Sequence, residues 1–263
     1  MRRVVILALA LFAGGEPLQA RQQGAPPNGQ AAPENGARRT VAAVRLPEGA
    51  SITLDGRLDE PSWSDPVPAG DFNQIDPSNG RPATERTEVR VVFNRNALYL
   101  GVICFDSEPN RWIGWQRRRD EQLFSDDGFM WTIDTFLDGR TGYFFEMNPS
   151  GLMADSLMGL NGENREWDGI WNARVNRSEI GWTLEVEIPF RTLNFNPDND
   201  TWGINFQRVV RRKNEQSIWS GWARNQGLRR MRFTYVPRRE GVVFAAPSRS
   251  RPFTGLWLRK TCA

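Results

Sequence analysis

The stretch TEVRVVF-NRN-ALYLGVICF, Thr87 to Phe105, decides the fold. Its first run places Val89, Val91 and Phe93 on one face of an extended chain, because successive side chains of a strand point to opposite sides. Asn94-Arg95-Asn96 is turn chemistry: the short polar side chains bond the local backbone and tolerate tight dihedrals. The return run, Ala97 to Phe105, is apolar on both faces, which predicts a central strand. The two runs make a hairpin.

The same period recurs outward from that hairpin. GFMWTIDT (Gly128 to Thr135) puts Phe129, Trp131 and Ile133 on one side. Leu137 to Arg140 turns the chain, and TGYFFEMN (Thr141 to Asn148) pairs back. Trp171, Ala173 and Val175 alternate, and Asn176 to Gly181 is polar. GWTLEVEIPF (Gly181 to Phe190) directs Trp182, Leu184, Val186 and Ile188 one way, with Thr183, Glu185 and Glu187 on the other face. Trp202, Ile204 and Phe206 repeat the pattern, and Ile218 to Trp222 is a last short strand. Only Pro189 to Leu193 hints at a helical turn. Short strands at this spacing, with turn signals between them, predict an all-β protein: an antiparallel β-sandwich, jelly-roll-like, forming a single domain.

The ends of the chain read differently. Residues 1–20 carry Arg2 and Arg3, the apolar run Val4 to Ala13 and a small residue at Ala20, the pattern of a secretory signal peptide. Residues 21–40 are rich in Gln, Gly, Ala, Pro and Asn, and read as a disordered linker. The sandwich spans 41–231. Residues 232–263 read as an irregular basic tail with no clean alternation. The expected location is therefore exported: periplasm, outer membrane or extracellular.

Charge and cysteine usage narrow the chemistry. The formal net charge of +3 comes from the ends. Setting aside the nine basic and two acidic groups of 1–20 and 232–263 leaves 25 basic and 29 acidic groups, so the folded part is mildly acidic. Arg117-Arg118-Arg119 and the Arg208 to Lys213 run read as solvated faces, and no nucleic-acid partner is expected. Cys104 lies in an apolar strand and reads as a small core residue. The chain has no histidine. That removes Ser-His-Asp and Cys-His catalysis, zinc held by histidine and haem held by histidine.

Three loops could contact a ligand. The first is Asp120 to Gly128, where Phe124 is a large apolar residue beside Asp126 and Asp127. An aromatic face stacks on the C–H face of a pyranose while carboxylates accept its hydroxyls. The alternative is that Phe124 plugs the sandwich end and the Asp pair makes a turn. The second is Trp219 to Gln226: Trp222 is a candidate platform, and Arg224, Asn225 and Gln226 supply polar contacts. Two structural Trp residues is the alternative. The third is Asn161 to Trp171, with Trp167 as a further platform or part of the core. Asp126, Asp127, Asp134, Asp138 and Asp155 are oxygen ligands of the kind calcium takes, so a structural Ca²⁺ is one cofactor reading, although the spacing matches no EF-hand loop. No catalytic residue is evident.

DGRLDEPSW (Asp55 to Trp63), the hairpin, SDDGFMWTIDT (Ser125 to Thr135) and GWTLEVEIPF together resemble the family 9 carbohydrate-binding module, over about Val41 to Met231. GRTGYFFEMNPSG (Gly139 to Gly151) and RVVRRKNEQSIWS (Arg208 to Ser220) are similar to the version at the front of bacterial outer-membrane proteins. That likeness implies a barrel domain following as partner. It also implies a non-catalytic β-sandwich that takes a glycan, often a polysaccharide or oligosaccharide end, between two aromatic residues. Phe124 falls at the first aromatic position, where Trp is usual in the family, and Trp222 is the nearest match to the second. Family members often carry calcium. The expectation is a monomeric, glycan-binding module of carbohydrate catabolism. The rival readings are part of a glycoside hydrolase acting on O-glycosyl bonds, and a structural or docking domain of an outer-membrane protein with no sugar site.

Overall fold

In the computed structural model, residues 39–121, 123, 125–160, 162–196, 201–221 and 242–245 are described, the last four by backbone alone. In chain order the strands are β1 (Thr40–Ala42), β2 (Val44–Arg45), β3 (Asn73–Asp76), β4 (Thr87–Phe93), β5 (Ala97–Phe105), β6 (Gly128–Asp134) and β7 (Gly142–Met147). They continue as β8 (Met153–Gly159), β9 (Gly162–Asn164), β10 (Asn172–Ser178), β11 (Gly181–Pro189), β12 (Thr201–Val210), β13 (Glu215–Ile218) and β14 (Val242–Ala245). They form two sheets. The smaller has the order β10-β11-β5-β4-β2, and the larger runs β1-β14-β12-β6-β7-β8-β9, with β13 between β12 and β3. Pairing is antiparallel except for β1 with β14 and β2 with β4. The β-sandwich read from the alternation is the architecture found.

The core lies between the sheets. Val89 and Val91 of β4, Leu98, Leu100 and Val102 of β5, and Leu184, Val186 and Ile188 of β11 meet Phe129, Trp131, Phe145 and Phe206 from the larger sheet. Trp131 stacks on Phe145 at 5.3 Å and meets the edge of Trp171 at 5.6 Å. Such pairs add about 0.5–1.5 kcal/mol each beyond the area they bury. Cys104 sits free in this core, where burial pushes its thiol up to about 12.

β5 is central and apolar on both faces because its second face is covered too. Residues 46–63 lie across the outside of the smaller sheet, where Leu46 and Trp63 pack on Val92, Ala97 and Tyr99. Gly101 leaves room for this layer: a Cβ there would come within 2.9 Å of the Trp63 ring. The anchor is Glu185. Its carboxylate is fully buried and accepts the Asp55 N–H at 3.0 Å, the Gly56 N–H at 2.9 Å and the Trp63 indole N–H at 2.9 Å. Thr183 Oγ1 donates to the Gly56 carbonyl at 2.5 Å. The DGRLDEPSW run is thus a strap bonded to β11, and Glu185 faces this strap instead of solvent.

Several sequence expectations need correction. Arg208 continues the inward alternation of Ile204 and Phe206 and is 1% exposed. Its guanidinium crosses the sandwich to donate to the Arg86 carbonyl at 2.8 Å. Arg212 is sunk against Glu85 and Asp106, and Lys213 pairs with Glu85 at 2.5 Å. Burial alone would raise the Glu85 carboxyl, but Lys213, Ser107 and Arg212 outweigh it and bring it down to about 2. These basic residues therefore close one end of the sandwich, where a solvated face was expected. Where a strand was expected at Ile218 to Trp222, the strand runs Glu215–Ile218 instead. Asn214 takes a left-handed turn (φ 49°), and the chain folds back on β12 at once. β8 was not anticipated. Val242–Ala245 lies in the stretch read as irregular, yet pairs with both β12 and β1; four residues are too few for alternation to show. The signal and linker readings fall outside the described residues.

Gly56 has φ +88°, and a Cβ on it would lie 2.6 Å from the Asn176 nitrogen. Gly49 has φ +83° with nothing within 4 Å. In urea denaturation, Gly49→Ala should cost about 1–2 kcal/mol, the ordinary left-handed penalty. Gly56→Ala should cost about 3 kcal/mol or more, because the strap must also lift off β10. Equal losses would refute the close approach.

Candidate functional site

With the strap closing one outer face of the sandwich, the outer face of the larger sheet is where chemistry can be presented. Residues alternating with the core there are Met130 and Thr132 of β6, Phe144 and Glu146 of β7, and Asn205 and Gln207 of β12. This face is more polar than the strap-covered one. Glu146 is buried, with Arg165 at 3.4 Å, and Arg165 also pairs with Glu163 at 3.0 Å. Burial pushes the Glu146 carboxyl up to about 7, against the pull of Arg165. Ser156 Oγ, on the same face of β8, is buried without a hydrogen-bond partner.

The two aromatic-bearing loops are rooted at opposite flanks of this face. Leu123 packs with Leu152 and Ala154 at the start of β8. On the other side Asn205 donates its amide to the Ser220 carbonyl at 3.1 Å and accepts the Ser220 N–H at 3.2 Å. Trp219 turns inward against Phe206, with ring centroids 5.3 Å apart. Phe124, Trp222, Arg224, Asn225 and Gln226 themselves lie outside the described residues.

Asp126 and Asp127 are described, and both are buried. Asp126 accepts the Gln116 N–H at 2.9 Å and the Asn148 amide at 2.9 Å. Asp127 accepts the Ile113 N–H at 2.7 Å and the Arg211 N–H at 2.6 Å. Burial raises the Asp127 carboxyl, and these donors oppose that. Their geometry frames the 113–116 segment, which has no ladder partner and whose N–H groups need acceptors. Trp167 is half-buried, with its ring 5.2 Å from Tyr143 and 6.2 Å from Phe145, at the core's edge.

The carboxylates named for calcium do not fit a cage. Asp155 takes the Trp171 indole N–H at 2.7 Å, the Gly169 N–H at 2.9 Å and the Arg119 guanidinium at 2.6 Å. Asp134 accepts the Gly139 N–H, and Asp138 accepts the Arg140 and Thr141 N–H groups. Each is surrounded by its own N–H donors, and among the described residues no three metal-ligating side chains converge.

The sequence matches no protein-family model and no curated protein. The fold does match solved structures. A family 9 carbohydrate-binding module from Caldicellulosiruptor kristjanssonii in complex with cellotriose superposes with a TM-score of 0.54 at 12% identity, over 81% of this chain and 95% of that one. The chain shares the β-sandwich fold of that module. The same module in complex with glucose gives 0.54 at 11% identity, over 82% of this chain and 100% of that one. A Bacteroides uniformis protein gives 0.55 at 16% identity, over 79% and 100%.

One exposed residue of this β-sandwich escaped the sequence reading. Trp115 is 78% exposed, in the segment that Asp126 and Asp127 hold. A core Trp and a surface Trp look alike in sequence. The available signal was the absence of alternation from Trp112 to Asp120, a stretch that includes three consecutive arginines.

Glu146 gives a pH signature. Its folded pKa of about 7 stands above the ordinary 4.5, so the folded chain keeps a proton that the unfolded chain releases. Stability should fall as pH rises through that window and level off above it. Glu146→Gln should flatten the slope of melting temperature against pH in that window relative to the parent. An unchanged slope would mean that Glu146 titrates normally.

Proposed function

We propose that this chain is an exported, non-catalytic carbohydrate-binding module that takes a polysaccharide or oligosaccharide end by aromatic stacking, in carbohydrate catabolism. The observation that carries the reading is the placement of both aromatic-bearing loops. Leu123 and Ser220 are anchored at opposite flanks of one polar sheet face. The fold is that of a module solved with cellotriose and with glucose. In the sequence Phe124 directly follows the anchor Leu123, and Trp222 stands two residues beyond the anchor Ser220.

In this reading the two rings take the apolar faces of a terminal sugar, and Arg224, Asn225 and Gln226 bond its hydroxyls. Asp126 and Asp127 act behind the loop by holding its backbone. Two stacked faces at about 1–3 kcal/mol each, the magnitude for base–aromatic stacking, give micromolar to millimolar dissociation constants once association costs are met. Asn205, Gln207 and Glu146 supply hydrogen-bonding groups on the same sheet face.

Isothermal titration with cellotriose tests the proposal. Binding should be lost, by about tenfold or more, in Phe124→Ala and in Trp222→Ala. Full binding by both variants would remove the stacking site from these loops, and release of reducing sugar by the parent would replace binding with hydrolysis.

A further inference from the structure

We propose that Trp115, with Arg117 and Arg118, is a preformed contact for a chain of acidic sugars, stacking one uronate ring on the indole while the guanidinium groups take carboxylates. The proposal rests on the carbohydrate-binding reading and adds to it the charge class of the glycan.

The first ground is exposure against expectation. Trp63, Trp131, Trp171, Trp182, Trp202 and Trp219 are all buried. Trp112 is half-buried, with the Arg177 guanidinium 4.6 Å above its ring. Trp115 alone among the described tryptophans leaves most of its surface in water, at 78% exposed. Leaving a large apolar surface in water forfeits the burial that stabilises the others.

The second ground is rigidity. The backbone on both sides of Trp115 is tied down. Gly114 accepts from Ser150 Oγ at 2.7 Å. Gln116 donates to Asp126 at 2.9 Å and accepts from the Asn148 amide at 2.9 Å. Ile113 and Asp127 are doubly bonded, through the Asp127 carboxylate at 2.7 Å and the Asp127 N–H at 2.8 Å. Gly114 has to be glycine for this clamp to close, since a Cβ would lie 2.6 Å from Ser150 Oγ. An exposed ring on a fixed backbone loses little freedom when a ligand arrives, which is the condition for a useful contact.

The third ground is charge. Arg117 is exposed and makes no ion pair among the described residues. Arg118 is 87% exposed and reaches Glu121 only at 3.4 Å, a contact that water screens heavily. The folded part of the chain carries a small acidic excess, so two solvent-exposed arginines, two and three residues after the exposed Trp115, are a local departure. Planar guanidinium groups bind carboxylates in bidentate fashion. A membrane surface also attracts Trp and Arg. However, Trp115 is followed by Gln116 and arginines and not by further exposed apolar residues, which is too little apolar area for insertion.

The full chain should be titrated with oligogalacturonate and, separately, with cellotriose. The parent should bind oligogalacturonate, more weakly as salt is raised. Trp115→Ala and the double variant Arg117→Gln/Arg118→Gln should each weaken that binding about tenfold. Both should leave cellotriose binding unchanged, since Trp115 is a surface residue outside the Phe124 and Trp222 pair. No oligogalacturonate binding by the parent, or equal binding by the variants, overturns the proposal. So does Trp115-dependent binding to phosphatidylglycerol vesicles without oligogalacturonate binding, which would make the segment a membrane contact. Failure of the broader carbohydrate reading shows differently, as loss of cellotriose binding in the parent.

Discussion

Glu185 organises this sandwich. Its buried carboxylate collects two backbone N–H groups and the Trp63 indole, and so fastens residues 55–63 across β11 and β5. Burial raises the carboxyl to about 7, and the three donors pull against that. With one partner removed, the other groups would be left desolvated and unpaired, the expensive outcome for buried polar groups. The strap thereby covers the outer face of the smaller sheet and adds a third layer to the sandwich. The outer face of the larger sheet is left as the surface on which a ligand can be read.

That division explains the polar residues. On the strap side, Tyr99, Glu187 and Asn94 bond one another at the margin, and burial raises the Tyr99 hydroxyl to about 12. On the other side, Glu146, Arg165 and Glu163 form a chain of charge across β7 and β9. At the end of the sandwich, Asp126, Asp127, Asn148 and Ser150 hold the 113–116 segment and so fix the direction of the loop that leads to Leu123. The carboxylates beside the proposed site position the backbone.

Much of this was legible in the sequence, and the failures have physical causes. β4, β5, β6 and β11 were plain because their apolar residues keep strict alternation against one core. β8 was hidden because Asp155 points toward the core edge, where it bonds Trp171, while Ala154 and Ser156 on the outer face are also buried. Asp155 thus interrupts the inward row of Met153 and Leu157. Arg208 was misread although the alternation of Trp202, Ile204 and Phe206 already pointed it inward; charge overrode pattern. Glu185 could be read only as lying on the other face of its strand; the strap that buries it is a long-range contact between positions 56 and 185. The pairing of an acidic loop with an aromatic one could be read from residue types. That Asp126 and Asp127 hold the loop from behind could not, because it depends on N–H groups of a segment without secondary structure. Trp115 left only the missing alternation around it as a signal, since exposure leaves no mark on residue type.

The central claim is that a sugar sits on the outer face of the larger sheet, between the loops rooted at Leu123 and Ser220. Amide chemical-shift mapping of the isotope-labelled protein with cellotriose tests it most directly. The account predicts that the largest shifts fall on Met130, Thr132, Glu146, Asn205 and Ser220, with the strap residues Ile52 to Trp63 silent. Shifts centred on the strap, with the β6, β7 and β12 amides unmoved, would contradict it.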